Sequence, residues 1–141
     1  MEHTETSGSR KTKFGVYVPP ELVQELEELM SALSIDNRSK LLQEALRLFI
    51  IENRWNIAKE VVGSINVLYN HEIGDSDKEL TEIQHRFLDI IVSAMHVHLD
   101  KERCLLIIAI RGSSERVKEL LGSIHSVKGV LLVRPVLMSM Q

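Results

Sequence analysis

The N-terminal part of the chain carries a strand–helix–helix pattern that is too small to bury its own apolar residues. Residues 13–18 alternate between apolar and polar side chains, which predicts one short strand. Two amphipathic helices are predicted next, at about residues 21–33 and from a cap at Asn37 or Ser39 to about residue 53. A lone short strand is an unpaired edge, and two such helices bury little surface. The pattern therefore predicts an obligate dimer in which two chains pair their strands antiparallel and interlock their helices.

The alternation gives the predicted strand two faces. Its core-facing residues are Phe14, Val16 and Val18, and its outward residues are Lys13, Gly15 and Tyr17. Residues 1–12 are rich in Ser, Thr and Gly and are predicted to form a flexible tail. The first domain is therefore predicted at residues 13–54.

A second domain is predicted at residues 60–138, after a helical linker around residues 55–59. Hydrophobic periodicity assigns its elements in order: a strand at 61–71, a helix at about 78–94, a hairpin at 95–110, a helix at about 113–126 and a strand at 130–137. The order β-α-β-β-α-β is the split βαβ, or ferredoxin-like, plan. The predicted fold class of the whole chain is α+β.

Composition and charge narrow the class of protein. The formal net charge of -3 by itself argues against a nucleic-acid partner, although residues 6–20 hold three basic residues and no acid. No apolar stretch approaches the roughly 20 residues that span a bilayer, and the polar N-terminus lacks a secretory signal. The single cysteine rules out an internal disulfide and fits a reducing cytoplasm. We therefore expect a cytoplasmic protein with no membrane association.

Three potential metal donors converge in the predicted hairpin. His96 and His98 are two residues apart on a strand, so both imidazoles point to the same side. Cys104 begins the return strand, close enough across the hairpin to add a thiolate. Ring nitrogens and a sulfur suit a late transition metal rather than magnesium or calcium. The hairpin therefore predicts a transition-metal site that still lacks one ligand.

Five short motifs resemble those of the nickel-responsive regulator (NikR) family. They are Asn37-Arg38-Ser39, Tyr69-Asn70-His71, Gln84-His85, His96-Val97-His98 and Cys104-Leu105, and they keep the family's order and spacing over roughly residues 13–137. The most specific part is Gln-His, then His-x-His eleven residues on, then Cys six residues later. The N-terminal unit resembles a ribbon-helix-helix DNA-binding domain, and the remainder resembles the family's ACT-like regulatory domain.

The resemblance implies a metal-responsive transcriptional repressor, not an enzyme, that assembles as a homotetramer built as a dimer of dimers. The ligands that it implies for one square-planar nickel ion per subunit are His96, His98 and Cys104 of one chain and His85 of another. The residues expected to support these ligands are Gln84, Tyr69 and His71, of which His71 is either a supporting residue or an alternative ligand. The protein is then predicted to repress nickel-uptake genes when nickel is bound.

Helical periodicity bears independently on His85. The apolar residues of the predicted helix form one stripe, made of Leu80, Ile83, Phe87, Ile90, Ile91 and Ala94. At about 100° per residue, His85 falls almost opposite the centre of that stripe. It therefore faces away from its own sheet, and as a ligand it is expected to reach the metal of another chain.

The resemblance also identifies residues that face double-stranded operator DNA. Ribbon-helix-helix proteins insert a two-stranded ribbon into the major groove. The residues expected to face base edges are Lys13, Gly15 and Tyr17. The residues expected to set a helix N-terminus and a cation against phosphate are Asn37, Arg38 and Ser39.

Several positions depart from the family's pattern. Gly15 stands where a small hydroxylated residue is usual in the family. Gln43 lies in a segment where relatives often have two acidic residues flanking an arginine. Both departures bear on DNA specificity. The acidic pair of relatives contributes to an alkali-cation site, whose charge Lys40 could supply here. Leu106 stands where relatives often carry a glutamate that orients a bound imidazole. That change is expected to weaken the site by about tenfold or more unless a group such as Gln84 replaces the glutamate.

Other functions fit the same order of domains. One is a ribbon-helix-helix repressor that senses cobalt, copper or zinc, and another is a repressor whose regulatory domain binds a small organic effector. A metalloenzyme is disfavoured, because four protein ligands leave no open position in a planar site and no motif supplies a catalytic pair.

Overall fold

The computed structural model describes residues 12, 13 and 15–140. Its elements are α1 (Pro20–Ala32), α2 (Arg38–Asn53), a 3-10 helix (Arg54–Ile57), β1 (Glu60–Asn70), α3 (Ser76–Arg86), β2 (Ile91–His98), β3 (Arg103–Ser113), α4 (Ser114–His125) and β4 (Val130–Ser139). The chain divides into two compact units between Leu42 and Gln43. The predicted tail, apart from Thr12, and the predicted core residue Phe14 lie outside the described residues. The domain boundaries at 13–54 and 60–138 stay a prediction.

The N-terminal unit contains the two predicted helix starts. Pro20 stands in the first turn of α1, where its missing N–H costs nothing. The side chain of Asn37 accepts a hydrogen bond of 2.9 Å from the backbone N–H of Lys40, so Asn37 caps α2. Arg38 forms an ion pair with Glu27 of α1. Of the two caps that the sequence allowed, the structure uses Asn37.

No strand pairing involves the described residues of the predicted N-terminal strand. Residues 12, 13 and 15–19, the described part of that segment, are not assigned to a strand. A ladder of backbone hydrogen bonds requires a second strand, which the prediction drew from a second chain. The intermolecular ribbon therefore stays a prediction.

Much apolar surface of this unit is uncovered. In α1 only Met30 is buried, and the exposed large apolar residues of the unit include Leu22, Leu29, Leu33 and Leu42. Apolar surface of this extent on helices marks a site of association. It is compatible with the predicted dimer.

The C-terminal unit is built on a four-stranded sheet, against which α3, α4 and Trp55 of the 3-10 helix pack. The strands lie in the order β2-β3-β1-β4, and every neighbouring pair is antiparallel. Alternate residues of β1 and β3 are fully buried and pack with one stripe from each of α3 and α4. This arrangement confirms the α+β class and the βαββαβ order. None of the helices among the described residues is long and apolar enough to cross a membrane.

The prediction that α3 extends to about residue 94 is wrong. The helix ends at Arg86, the N–H of Ile90 bonds to the carbonyl of Phe87 at 3.0 Å, and Ile91 begins β2 opposite Ile110. Ile91 and Ala94 match the spacing of the helical apolar stripe but lie in β2. The run of β-branched residues at 90–92 favours a strand, so the hairpin spans residues 91–113 rather than 95–110.

The close approach of β1 and β4 at Gly63 gives a test of this packing. A Cβ atom at Gly63 would lie 2.1 Å from the backbone oxygen of Val136. Since both atoms belong to paired strands, Gly63→Ala should destabilise the fold by about 1–3 kcal/mol. The measurement is the thermal unfolding midpoint followed by circular dichroism. Gly122→Ala in α4 is the matched control, since its Cβ meets nothing within 4 Å and alanine is favoured in a helix by about 1 kcal/mol. Equal shifts in the two variants would contradict the close approach.

Candidate metal centre

The pairing of β2 with β3 sets the predicted donors side by side. His98 lies opposite Cys104, and His96 lies opposite Leu106. Cys104 in turn lies opposite Tyr69 of β1. Paired residues share a face of the sheet, and Tyr69 and Cys104 are buried in the core. The two imidazoles therefore lie on the face that carries the helices.

Three donor atoms are close enough to share one ion. Among the described residues, one ligand atom from each of His96, His98 and Cys104 lies within 4.8 Å of the other two. The Cys104 Sγ atom is 3.3 Å from His98 Nδ1, and the two imidazole rings stack with centroids 5.0 Å apart. With zinc as a guide, ligands at about 2.0–2.3 Å from an ion lie at most about 4.4 Å apart. The donors therefore fit a transition metal after a closure of a few tenths of an ångström.

The thiol and the imidazoles differ in their surroundings. Cys104 is fully buried, whereas His96 and His98 are exposed. Burial raises the pKa of the Cys104 thiol, and the negative charge of Asp77 raises it further, while the nearby polar hydroxyl of Tyr69 acts in the opposite direction. The sulfur is thus a fixed donor that must lose a proton, next to two rings that can adjust to an incoming ion.

Tyr69 connects the hairpin to α3. Its hydroxyl donates to Asp77 Oδ1 at 2.5 Å and lies 2.7 Å from His96 Nε2. Burial, and then the hydrogen bond to Asp77, raise the pKa of this hydroxyl. Tyr69, predicted from the sequence as a supporting residue, thus touches one of the candidate ligands directly.

Sequence reasoning missed Asp77. It stands in the first turn of α3, directly before residue 78, where the sequence predicted the helix to begin. Its contact with Tyr69 depends on how α3 packs on the sheet, and no periodic pattern marks that contact. A buried tyrosine close to a helix start was the only available signal, because its hydroxyl needs a partner.

The structure does not bring His85 into the cluster. His85 lies in the last turn of α3 and is exposed, on the side opposite the buried residues Leu80 and Ile83, as periodicity predicts. It lines a cavity of about 450 Å³ together with His96 of the same chain. The described chain thus supplies three donors to the cluster and presents His85 at its border.

The other two predicted supporting residues differ in position. Gln84 lines the same cavity and donates from Nε2 to the carbonyl of Leu80 at 3.2 Å. His71 is not part of the three-residue cluster, and its Nε2 lies 2.5 Å from the carbonyl oxygen of Lys101. Leu106 is buried and forms part of the cavity wall beside His96.

The predicted DNA-facing residues lie at the surface of the N-terminal unit. Those exposed are Lys13, Gly15, Tyr17, Asn37, Arg38 and Ser39. Arg38 is paired with Glu27, and Asn37 is used in capping α2.

Two family models match the chain. Residues 62–138 match the model described as the NikR C terminal nickel binding domain, and residues 10–50 match a ribbon-helix-helix domain. The second match covers the predicted DNA-binding segment, and the first covers the candidate metal cluster.

Curated relatives match over most of their length. Proteins named as provisionally assigned nickel-responsive regulators are 37% identical in Pyrococcus abyssi and 39% identical in Thermococcus kodakarensis, each over 84% of this chain and 86% of the relative. One from Methanocaldococcus jannaschii is 36% identical over 86% of this chain and 88% of the relative. Among solved structures, an uncharacterized protein from Thermotoga maritima has a TM-score of 0.47 at 12% identity over 59% of this chain and 98% of that chain, which is too weak to bear on function. This chain therefore belongs to the nickel-responsive regulator family, a family of transcriptional regulators and not of enzymes.

Proposed function

We propose that this protein is a cytoplasmic, nickel-dependent repressor that binds operator DNA and controls nickel-uptake genes. It acts as a homotetramer, a dimer of dimers, with one nickel ion per subunit. The observation that carries the proposal is the cluster of His96, His98 and Cys104, whose donor atoms lie within 4.8 Å of one another. Family membership supports the assignment of nickel over another late transition metal.

The residues of the cluster suit a thiolate–imidazole site. Cys104 donates as a thiolate and must release its proton, against a pKa that burial raises. His96 and His98 donate as neutral imidazoles. His96, His98 and Cys104 would hold a nickel ion, which would link these side chains to a fourth ligand. Raw affinity cannot select nickel over copper, which binds most sites more tightly, so selectivity would come from planar geometry, which disfavours zinc, or from which metals are free in the cell.

In this proposal the fourth ligand is His85 of another subunit. His85 is exposed, lies outside the three-residue cluster of its own chain, and borders the cavity next to His96. An exposed histidine at the end of a short helix is well placed to reach a neighbouring chain. Ligation across subunits would make the geometry of the assembly depend on the metal.

The outer face of the sheet supports assembly through the C-terminal unit. On the side away from the helices, β4 exposes Leu132, Val136 and Met138. A second copy of this chain is the partner that family membership favours for this face. The N-terminal units would then form the two ribbon dimers that read DNA.

Metal and DNA binding are coupled in this scheme. Subunits tied at the metal site favour one arrangement of the two ribbon dimers, which spans two half-sites of the operator. Coupling between linked sites is typically about 1–3 kcal/mol, and it is reciprocal. Operator DNA must therefore tighten nickel binding by the factor by which nickel tightens DNA binding.

Removing the thiol tests the metal site. Cys104→Ala should lose at least about tenfold in nickel affinity, since one of the ligands is removed, and should no longer bind operator DNA in response to nickel. The measurements are nickel titration and a metal-titrated gel shift on the protein's own upstream DNA. His125→Ala, which removes an exposed histidine of α4, is the matched control and should behave as the unmodified protein. If Cys104→Ala still shifts the operator normally, the sensing site lies elsewhere. A shift by cobalt, copper or zinc but not nickel would indicate a sensor of another metal.

Removing a strand cation tests the DNA-reading surface. Lys13→Ala should weaken operator binding by about 1–3 kcal/mol if Lys13 contacts a base, while nickel affinity measured without DNA stays unchanged. Gel shifts at fixed salt and nickel titrations give the two values. Equal losses in both measurements would contradict the assignment of DNA binding to the N-terminal domain and nickel binding to the C-terminal domain.

Mixing two inactive variants tests ligation across subunits. His85→Ala chains keep the three-residue cluster, and Cys104→Ala chains keep His85. Random co-assembly of equal amounts in a symmetric oligomer should restore nickel binding at about one quarter of the sites. A restored site combines the intact cluster of a His85→Ala chain with the His85 of a Cys104→Ala chain. Co-refolded mixtures are compared with each variant alone by nickel titration. No recovery in mixed oligomers would show that His85 acts within its own chain or not at all.

A further inference from the structure

The loop between the candidate ligands His98 and Cys104 closes the hairpin whose register sets their donor atoms side by side. The two residues end β2 and begin the paired part of β3, and they are opposite one another in the register. Residues 99–103 connect them. The 3.3 Å separation of Cys104 Sγ and His98 Nδ1 therefore lies directly beside this loop.

The loop is held internally by the Asp100 carboxylate and by backbone bonds, since the N–H groups of Leu99 and Asp100 donate to the carbonyl of Arg103 at 3.0 and 3.3 Å. Asp100 Oδ1 accepts the N–H groups of Glu102 at 3.0 Å and of Arg103 at 2.7 Å. Its Oδ2 accepts from the Arg103 guanidinium at 2.7 Å. These bonds hold the pKa of Asp100 low, at about 2. Such bonds shape the turn but do not attach it to the rest of the sheet.

His71 attaches the loop from outside. Its backbone N–H donates to the carbonyl of Glu102 at 2.9 Å, and its ring Nε2 lies 2.5 Å from the carbonyl oxygen of Lys101. A carbonyl oxygen can only accept, so Nε2 carries the hydrogen. That nitrogen is therefore committed to the loop and cannot also act as a metal donor.

The same short segment contacts the hairpin twice. Tyr69, two residues before His71, lies 2.7 Å through its hydroxyl from His96. His71 contacts the loop that follows His98. The end of β1 thus contacts both the strand that carries the imidazoles and the turn that returns to the thiol.

We infer that His71 is a positioning residue, which clamps the 99–103 loop and holds His98 and Cys104 at the spacing that metal capture needs. This inference rests on the proposed nickel site, and it assigns His71 the supporting role rather than the ligand role that its Nδ1 atom would still allow. Ligand preorganisation by outer contacts typically changes metal affinity by about 10–100-fold.

The test compares His71→Ala with His71→Gln in the full-length protein. Glutamine keeps an N–H donor of similar reach, whereas alanine removes the ring bond and leaves the backbone bond intact. His125→Gln is the matched control, because His125 also contacts a backbone carbonyl, that of Leu121, but lies on α4 outside the cluster. All variants are first compared by thermal unfolding without metal.

The first readout needs no nickel. Hydrogen exchange of the Leu99, Glu102 and Arg103 amides in the metal-free protein should be about tenfold faster in His71→Ala, because the loop opens locally. It should return to within about twofold of the unmodified rate in His71→Gln. Unchanged exchange in His71→Ala would overturn the clamp, whether or not the protein binds nickel.

The second readout is nickel affinity together with the thiolate-to-nickel absorption. His71→Ala should bind about tenfold more weakly, and His71→Gln should regain most of the affinity with the absorption band in place. Faster exchange with unchanged affinity would overturn the positioning role and leave the proposed function intact. Equal losses in both variants with a displaced band would identify His71 as a ligand instead. Failure of the unmodified protein to bind nickel would refute the proposed function. The hydrogen-exchange rates would then still test whether His71 holds the loop.

Discussion

The pairing of His98 with Cys104 across β2 and β3 is the constraint on which the candidate centre depends. A shift of one residue in this register would turn either the imidazoles or the thiol to the other face of the sheet. The register is held from both sides, because β3 also pairs with β1 along its whole length. Cys104 therefore has little freedom, whereas the histidines sit on the edge strand and remain exposed. A rigid sulfur beside adjustable nitrogens is a suitable arrangement for closing around an incoming ion.

Helix α3 links the two halves of the proposed site. A buried tyrosine hydroxyl needs partners, and Tyr69 finds them in Asp77 and His96. Asp77 stands in the first turn of α3 and His85 in the last. The helix that supports one imidazole from its own chain thus carries the histidine proposed for the neighbouring chain. A movement of α3 would displace both Asp77 and His85. Ligation of His85 across subunits would therefore be coupled to the packing of α3 within its own subunit.

What the sequence predicted well depended on strict periodicity. A period of two was enough to set His96 and His98 on one face and to find Cys104 across the turn. The exposed position of His85 followed from the period of a helix, even though the predicted helix was too long. The end of α3 was predicted wrongly because Ile91 and Ala94 match the spacing of the helical apolar stripe. The run of β-branched residues at 90–92 favours a strand instead. The contact of Asp77 with Tyr69 and the bond between His71 and Lys101 could not be predicted, because each depends on how two elements pack rather than on a periodic pattern.

Neither half of the proposed function is available to a single chain. The described part of the N-terminal strand lacks a partner within the chain, and a ribbon in the major groove needs two strands. The metal cluster of one chain has three donors, and under the proposed scheme the fourth comes from another subunit. Any free energy of metal binding that depends on this fourth donor also stabilises the assembly by mass action. Exposed apolar residues on α1 and on the outer face of β4 fit this dependence, because they favour association even before metal is bound. The metal would then select among arrangements of an existing oligomer rather than create it, and a selection of that kind can change DNA affinity without refolding either domain.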